Sequence, residues 1–557
     1  MLSLHDYHAQ ELAALRQAGY DFAKLTSDHK STQNPAIDVP WNEQLLQGCA
    51  WLTARIKQQF DGYQMNWQEQ MLRYVMPDAL QPLPAMTIAH WHDPQHRLSE
   101  TMTVVAGTEV TSAVDSVTVA QVWQTTQTML LHPLHVSKCQ YQGNDPDKPV
   151  IELELTLNSQ ATFDQLICSE LVFYLNADLH LARQLYYLLL HPATRVIVCY
   201  GTNKQKSFFG NPFCAHWVKP DQQNRDYLSS DAHQWLRWYF CFPQQFLWVR
   251  LTQLDELFRA NDLYQWHLKI YLPEDCPLAS QIDYQTLLMH CVPLINLRQQ
   301  ILDPIRLRPE ITNYPLPMNS RQEEMYRVTQ VVGYRRQQHE AIEIPLFHCL
   351  QPLAEDAICY RITREAMVGK TSEYVLVVDG EEQKTLDYLI VTLSSCANTA
   401  IQPVDLFTWK QVGQLTDMFQ VKPLVQPSSF QSVIPPAKLL PLLIQCLQHG
   451  RFTSDFLHRE IQQYAQWVSF TDQQKLTAMK TIQLKSFHQL CQGMIRQGNE
   501  LYIELDEHAF VDRAEVFLWG SVFNQFCQSI HPMDRLLTSK WMLLPSQQTL
   551  IWTSDDA

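Results

Sequence analysis

The sequence predicts a multidomain α+β protein, with a helical N-terminal region, β-rich middle domains and an α/β C-terminal region. Three observations support that class. The chain has 557 residues, more than one hydrophobic core normally serves. Its composition, 46% hydrophobic and 18% charged, excludes a mainly disordered chain. Its apolar residues recur at helical spacing near the start, at strand spacing from Met86 onward, and at helical spacing again towards the C-terminus.

Residues 1–85 read as helical. Leu12, Leu15, Gly19 and Phe22 share one face, and Trp41, Leu45, Cys49, Leu52 and Ile56 repeat the pattern with Glu43, Gln44, Gln47 and Lys57 opposite. A further helix is expected over Trp67–Val75, stopping before Pro77. Residues 86–320 form a β-rich domain with helical insertions: strands over 101–110, 117–131, 150–157, 195–200, 246–251 and 263–272, and a helix over 179–190. The turn-rich GNDPDKP stretch at 143–149 separates two of these strands, and Pro304, Pro309, Pro315 and Pro317 mark an irregular connection. Residues 321–420 are strand-rich again, at 326–334, 341–347, 374–379 and 386–393. The stretch 421–438 contains Pro423, Pro427, Pro435 and Pro436 and reads as a linker. An α/β domain is expected over 439–557, with a helix at 455–470, a strand at 501–505 and a strongly apolar helix at 516–530. No repeat at 20–50 residue spacing is visible.

Composition also narrows function. The 42 Lys and Arg against 57 Asp and Glu leave a formal charge of −15, which argues against nucleic acid as a partner. Only 15 glycines are present, few for a protein that cradles phosphates. The 14 cysteines are scattered with no CxxC pair, so neither a disulfide framework nor a zinc ribbon is predicted. The charged start lacks a signal peptide's apolar stretch, and no run of ~18 apolar residues suggests a membrane span. A cytoplasmic protein with reduced thiols follows as the expectation.

A search for chemistry returns little. Val368-Gly369-Lys370-Thr371 invites a phosphate-loop reading, but Arg364 stands where that loop requires glycine. His90, His92 and His96 are the densest group of potential metal ligands, yet no fourth ligand is identifiable and a polar strand end explains them. The aromatic run Arg237–Arg250 is basic only at its ends and reads as core. The pairs Glu152/Glu154 and Asp506/Glu507 are strand neighbours on a solvated face, not carboxylates flanking a substrate. No GxSxG, HExxH or GxGxxG is present. Neither a catalytic residue nor a cofactor or metal site is predicted, and an interaction role is favoured over an enzyme.

Several stretches, in order along nearly the whole chain, resemble the TssF family (VasA/ImpG) of type VI secretion baseplate subunits. They begin with Tyr7, Glu11-Leu12, Leu15-Arg16, Gly19 and Asp21-Phe22-Ala23, then Leu45-Leu46-Gln47-Gly48-Cys49-Ala50-Trp51-Leu52 with Ala54-Arg55, and Pro82-Leu83-Pro84-Ala85-Met86. The closest match is Cys291-Val292-Pro293-Leu294-Ile295-Asn296-Leu297, followed by Asp303-Pro304-Ile305-Arg306-Leu307 and Tyr314-Pro315-Leu316. Leu505-Asp506-Glu507, Ala509-Phe510, Leu518-Trp519-Gly520-Ser521-Val522-Phe523, Ser529-Ile530 and Arg535-Leu536 complete the set. Departures occur at Trp123-Gln124, where the family has Phe-Arg, and at His531, where it has Asn.

The resemblance implies a phage-baseplate-like wedge subunit without catalysis. It implies two copies per TssG, recruitment of TssK and the sheath-linked TssE, and six wedges around the VgrG spike. It also implies a cytoplasmic assembly docked on the inner-membrane complex. A wedge subunit of a phage-like or extracellular contractile particle is the alternative. Within Cys291–Leu297, Pro293 fixes φ and removes a donor, which biases Val292 towards an extended conformation. Asn296, between two apolar residues, is expected to satisfy backbone groups that an irregular segment leaves unpaired. Cys291–Leu297 and Arg306 are therefore the candidate structural motif, expected to join the middle β-rich region to the rest of the subunit.

Overall fold

The computed structural model describes residues 4–27, 40–75, 80–112, 121–142, 149–159, 161, 168–200, 204–217, 232–254, 264–273, 282–308, 311, 313–318, 322–335, 340–347, 358–365, 373–379, 386–399, 407–409, 418–432, 452–465, 468–491, 494–531 and 536–553. The fold is mixed α/β and rich in strands. Among the described residues the α-helices are α1 (Leu4–Ser27), α2 (Pro40–Val75), α3 (Leu179–Leu190), α4 (Ala232–Cys241), α5 (Ser454–Ala465), α6 (Phe470–Thr477) and α7 (Arg513–Ile530).

Helices α1 and α2 pair as an antiparallel hairpin. Tyr7 Oη donates to Asp61 at 2.8 Å, Lys57 Nζ pairs with Glu11 at 2.8 Å, and Arg16 pairs with Glu43. With no proline between Ile56 and Trp67, α2 continues through the helix expected separately at 67–75. The small residues Ala50 and Ala54 are buried, and the large residues of the expected core face are not: Leu45, Leu52 and Ile56 are exposed.

A closed six-stranded barrel follows, in the order 86–92, 291–295, 122–125, 109–112, 407–409 and 420–423. Its first strand lies between Cys291–Ile295 and Gln420–Pro423, antiparallel to both. The expected linker at 421–438 is therefore structured through residue 432. Leu424 N donates to Ile88 O at 2.8 Å and Ser428 N to Met86 O at 2.8 Å. Pro423 and Pro427 sit just before those donors, where a missing N–H costs the pairing nothing. Pro435 and Pro436 lie outside the described residues.

Beside the barrel lie a five-stranded and a four-stranded sheet, ordered 204–207, 195–200, 265–271, 150–157, 134–142 and 213–215, 248–251, 171–175, 287–288. In Val150–Leu157 alternate residues are buried, so Ile151, Leu153, Leu155 and Leu157 face the core. A separate core of residues 302–393 fills the space around the Glu323–Arg335 and Tyr388–Ala397 pair, whose sheet also takes strands from 298–301 and 305–306. Neither this sheet nor the barrel is a contiguous stretch of chain.

The C-terminal sheet has the order 479–491, 494–506, 536–544, 549–553. Met494–Asp506 and Leu536–Leu544 run parallel, joined by α7 as the crossover helix. The helix expected over 455–470 is two helices, because Ser469 caps α6 by accepting from Asp472 N. The departure at His531 has a local explanation: its buried ring hydrogen-bonds Asn499 Nδ2 at 3.0 Å, while its N–H closes α7 on Cys527 O.

Trp552 lies across α7 at Gly520 and donates to Ser521 Oγ at 3.0 Å. A Cβ at Gly520 would fall 2.3 Å from Trp552 Cη2, so Gly520→Ala is expected to destabilise by about 1–3 kcal/mol. Urea denaturation of the purified chain checks this; an unchanged midpoint would contradict the packing described.

Candidate functional site

Cys291–Ile295 is a barrel strand, not an irregular connection. Met86–His92 supplies its partners on one side and Gln124–Thr125 on the other. Cys291, Val292, Pro293 and Leu294 are buried and Ile295 is half-buried. Pro293 needs no N–H here; its carbonyl accepts from Thr126 N and Thr126 Oγ1, both at 3.1 Å. Asn296 is buried at the strand's end. Its N–H donates to Ala85 O at 2.9 Å, its Nδ2 donates to Val122 O at 2.9 Å, and its Oδ1 accepts from Ala397 N at 3.0 Å. One side chain thus ties two barrel segments to the end of the Tyr388–Ala397 strand. Leu297 follows half-buried. Arg306 is not brought to this group: it lies exposed on a strand paired with Tyr388.

A buried ionic cluster, not anticipated from sequence, locks α3, α6 and α7 together. Glu515, 1% exposed, accepts from Arg183 at 2.9 Å, from Lys475 at 3.0 Å and from Val511 N at 2.9 Å. Burial raises the Glu515 pKa, but the Val511 N–H and the two cations outweigh it and hold the carboxyl below its ordinary value. Asp512 caps α7 by accepting from Glu515 N at 2.8 Å, and it also pairs with His180 at 3.0 Å. The Asp512-Arg513-Ala514-Glu515 spacing is a capping-box pattern and was the available sequence signal.

The other candidates disperse. Glu152 pairs with Lys269 and Glu154 with His267, both at 3.5 Å; Asp506 pairs with Lys480 at 2.9 Å, and Glu507 accepts from Ser546. Trp235, Tyr239, Phe242, Phe246 and Trp248 are buried together as core. Arg364 ends a strand, and Val368-Gly369-Lys370-Thr371 lies outside the described residues.

His90, His92 and His96 border a cavity of about 590 Å³, where His132, His135 and His290 join them from elsewhere in the chain. Burial, with His92 and Lys422 nearby, pushes His90 down to about 4; burial alone does the same to His132. Burial, with the neighbouring histidines His132, His90 and His135, takes His290 well below the ordinary range against an opposing backbone hydrogen bond with His132. Among the described residues no three His, Cys, Asp or Glu are placed to hold a metal ion.

The remaining feature is a surface. Along α2, Leu45, Trp51, Leu52, Ile56, Phe60 and Trp67 are exposed, and Leu45, Leu52, Ile56, Phe60 and Trp67 recur every four or seven residues as one stripe. By contrast, α7, the other apolar helix, is buried within the chain: Leu518, Trp519, Val522, Phe523 and Phe526 are each at most 1% exposed.

A family model described as "Type VI secretion system, TssF" matches residues 1–548. The chain belongs to the TssF family. A curated relative, the type VI secretion system component TssF1 of Pseudomonas aeruginosa, is 24% identical over 405 residues, covering 66% of this chain and 63% of its own length. A TssF-containing structure, the cryo-electron microscopy TssK-TssF-TssG baseplate subcomplex of a type VI secretion system, holds a similar chain: TM-score 0.77 and 19% identity over 92% of this chain and 98% of that one. A chain of a type VI baseplate complex is similar at TM-score 0.59 and 18% identity, covering 99% and 98%. These two structures share this fold.

Three outcomes are expected from this geometry. Asn296→Leu leaves Val122 O and Ala397 N without their partner, at about 1–3 kcal/mol each, read as a lowered denaturation midpoint. Glu515→Gln leaves Arg183 buried against a neutral amide, while half-buried Lys475 keeps Asp472 at 3.1 Å, and costs about 3 kcal/mol; an unchanged thermal midpoint would show the cluster to be inert. The pH dependence follows from His90 and His132. Both stay neutral in the fold while the unfolded chain's histidines protonate near 6.5, so the unfolded state binds more protons and stability falls as pH drops from 6.5 towards 4. Thermal midpoints measured across that window check it, and a flat profile would refute it.

Proposed function

We propose that this chain is a structural subunit of a type VI secretion baseplate wedge. The observation that carries the reading is the family match across residues 1–548, together with a long amphipathic helix whose apolar stripe is uncovered among the described residues. Its partners are TssG and TssK, which accompany TssF in the similar solved subcomplex. Two copies of the chain join one TssG; TssE and the VgrG spike lie further out in the assembly. The wedge works in the cytoplasm, docked at the inner-membrane complex, and the subunit acts through its surfaces without catalysing a reaction.

The physics fits that role. Each large apolar side chain moved from water into an interface contributes about 1.5–3 kcal/mol before the costs of association. The Asn296 bonds and the Glu515 cluster tie distant segments of the chain to one another.

Co-expression with TssG, followed by size-exclusion chromatography with mass measurement, tests the reading. A stable complex with two copies of this chain per TssG is expected. Leu52→Glu with Ile56→Glu, both exposed in the free chain, should leave the thermal midpoint unchanged and weaken the complex roughly a hundredfold. A chain that forms no complex with TssG or TssK would overturn the assignment.

A further inference from the structure

Six of the chain's 21 histidines line one cavity of about 590 Å³. They come from three distant segments: His90, His92 and His96; His132 and His135; and His290. Helices do not gather them. The end of the Met86–His92 strand, the start of the Leu134–Gln142 strand and the turn before Cys291 do.

Two of these histidines sit in strained backbone. His96 has φ 50° and His290 has φ 57°, in the left-handed region that residues other than glycine seldom enter. Strain of this kind persists where the surroundings over-determine it, and it gathers at sites that hold something. The rings are also oriented. Asn158 Nδ2 donates to Leu98 O at 3.1 Å, so its Oδ1 faces His135 Nδ1 at 3.0 Å as an acceptor, and that nitrogen carries hydrogen. His290 Nε2 accepts from His132 N at 3.0 Å, which places the His290 proton on Nδ1. His96 stacks on His135 with ring centroids 3.8 Å apart.

Among the described residues the lining carries one cation, Lys422, and one anion, Asp93, around six imidazoles. Lys422 borders the cavity with no ion pair among the described residues. Asp93 is the one carboxylate in the lining, and both its oxygens are taken by the N–H groups of Gln95 and Leu98. Tyr284 is the other titratable group there. Lone pairs do not converge as a metal ion would require. The described lining offers an ammonium and imidazoles able to gain charge, while its carboxylate, Asp93, accepts from two backbone N–H groups and favours the protonated forms of His92 and His135.

We propose that this cavity binds a carboxylate-bearing ligand and that binding places protons on its imidazoles. Burial first, and then the nearby Lys422, hold His90 and His92 below the ordinary imidazole value, and a carboxylate seated beside them supplies the negative charge that favours their protonated forms. The protons come from solvent, so affinity rises as pH falls, by about ten-fold per pH unit for each proton taken up. The inference does not depend on the wedge assignment and concerns a different surface from the α2 stripe.

Isothermal titration calorimetry on the full chain tests it, with citrate and a glutamate-rich peptide as probes, at about pH 6 and about pH 7.5, either side of the ordinary imidazole value. Repeating each titration in two buffers of different ionisation enthalpy counts the protons. Tighter binding at the lower pH, with net proton uptake, is expected; citrate alone binding marks a small-molecule site, and the peptide alone or both marks an acidic side chain of a partner. His92→Gln and Lys422→Gln should each weaken binding about ten-fold. Lys422 is exposed and His92 half-buried, so both variants keep the fold, and the wild-type proton count decides the question even without them. Binding of neither probe, binding without proton uptake, affinities unchanged in both variants, or stoichiometric zinc displacing the probes would each overturn the proposal.

Discussion

Glu515 sets the constraint on which much of the C-terminal half depends. A carboxylate 1% exposed is tolerable only with its charge matched, and the matching groups are Arg183 on α3 and Lys475 on α6. These residues lie 332 and 40 positions away along the chain, so neither α3 nor α7 can settle before the other is in place. The apolar surroundings tell the same story. One continuous core runs from Met86 and Ile88 through α3 and α4 to Trp541 and Trp552. The C-terminal sheet has no core of its own to retreat to.

The barrel imposes a second long-range requirement. Met86 exchanges hydrogen bonds with Ser428, 342 positions away, and Asn296 reaches Val122 and Ala397. Closure therefore waits for the whole stretch between residues 86 and 428, and a fold with so many non-local pairings pays its loop entropy before the contacts reward it. Asn296 suits such a closure point because one amide offers both donors and an acceptor. An aliphatic side chain of similar size could fill the space, but it would leave both Val122 O and Ala397 N without a partner.

Much of the element order was legible, because period-two and period-3.6 patterns report local geometry directly. The strands around 150–157, 195–200 and 265–271 and helices α3 and α7 lie where the spacing places them. What the pattern cannot carry is partnership. The proline-rich stretch after Val421 reads as a linker because the carbonyls and amides that engage it belong to residues near 86. The Glu515 cluster was hidden for the same reason: a glutamate three residues after an aspartate announces a helix start, not two cations from distant helices. The histidine cavity shows this most plainly. His90, His92 and His96 are close in sequence and suggest a strand end; His132, His135 and His290 change the chemistry of the site, and no spacing rule links them. The candidate motif at Cys291–Leu297 was visible as a pattern, while its nature as a barrel strand was not.

The two apolar helices at opposite ends of the chain look alike in sequence and meet opposite fates, and the reason is steric. Along α7 the large residues face a partner surface already shaped for them: Gly520 lets Trp552 lie against the helix, and Tyr239 and Phe240 pack on Trp519 with ring centroids 5.0 and 5.4 Å away. Along α2 the face turned to α1 carries Ala50 and Ala54, which allow close approach but bury little area. The hairpin is held instead at its polar flanks, by Tyr7 with Asp61 and Lys57 with Glu11. With the small residues inside and the ion pairs at the edges, Leu45, Leu52, Ile56 and Phe60 have nowhere to go but outward. Exposed ion pairs of this kind contribute little, so a second surface laid over the stripe would add more to the hairpin than its polar flanks do. An exposed apolar stripe beside cores filled by the chain's own residues is an arrangement that suits a subunit of a larger assembly.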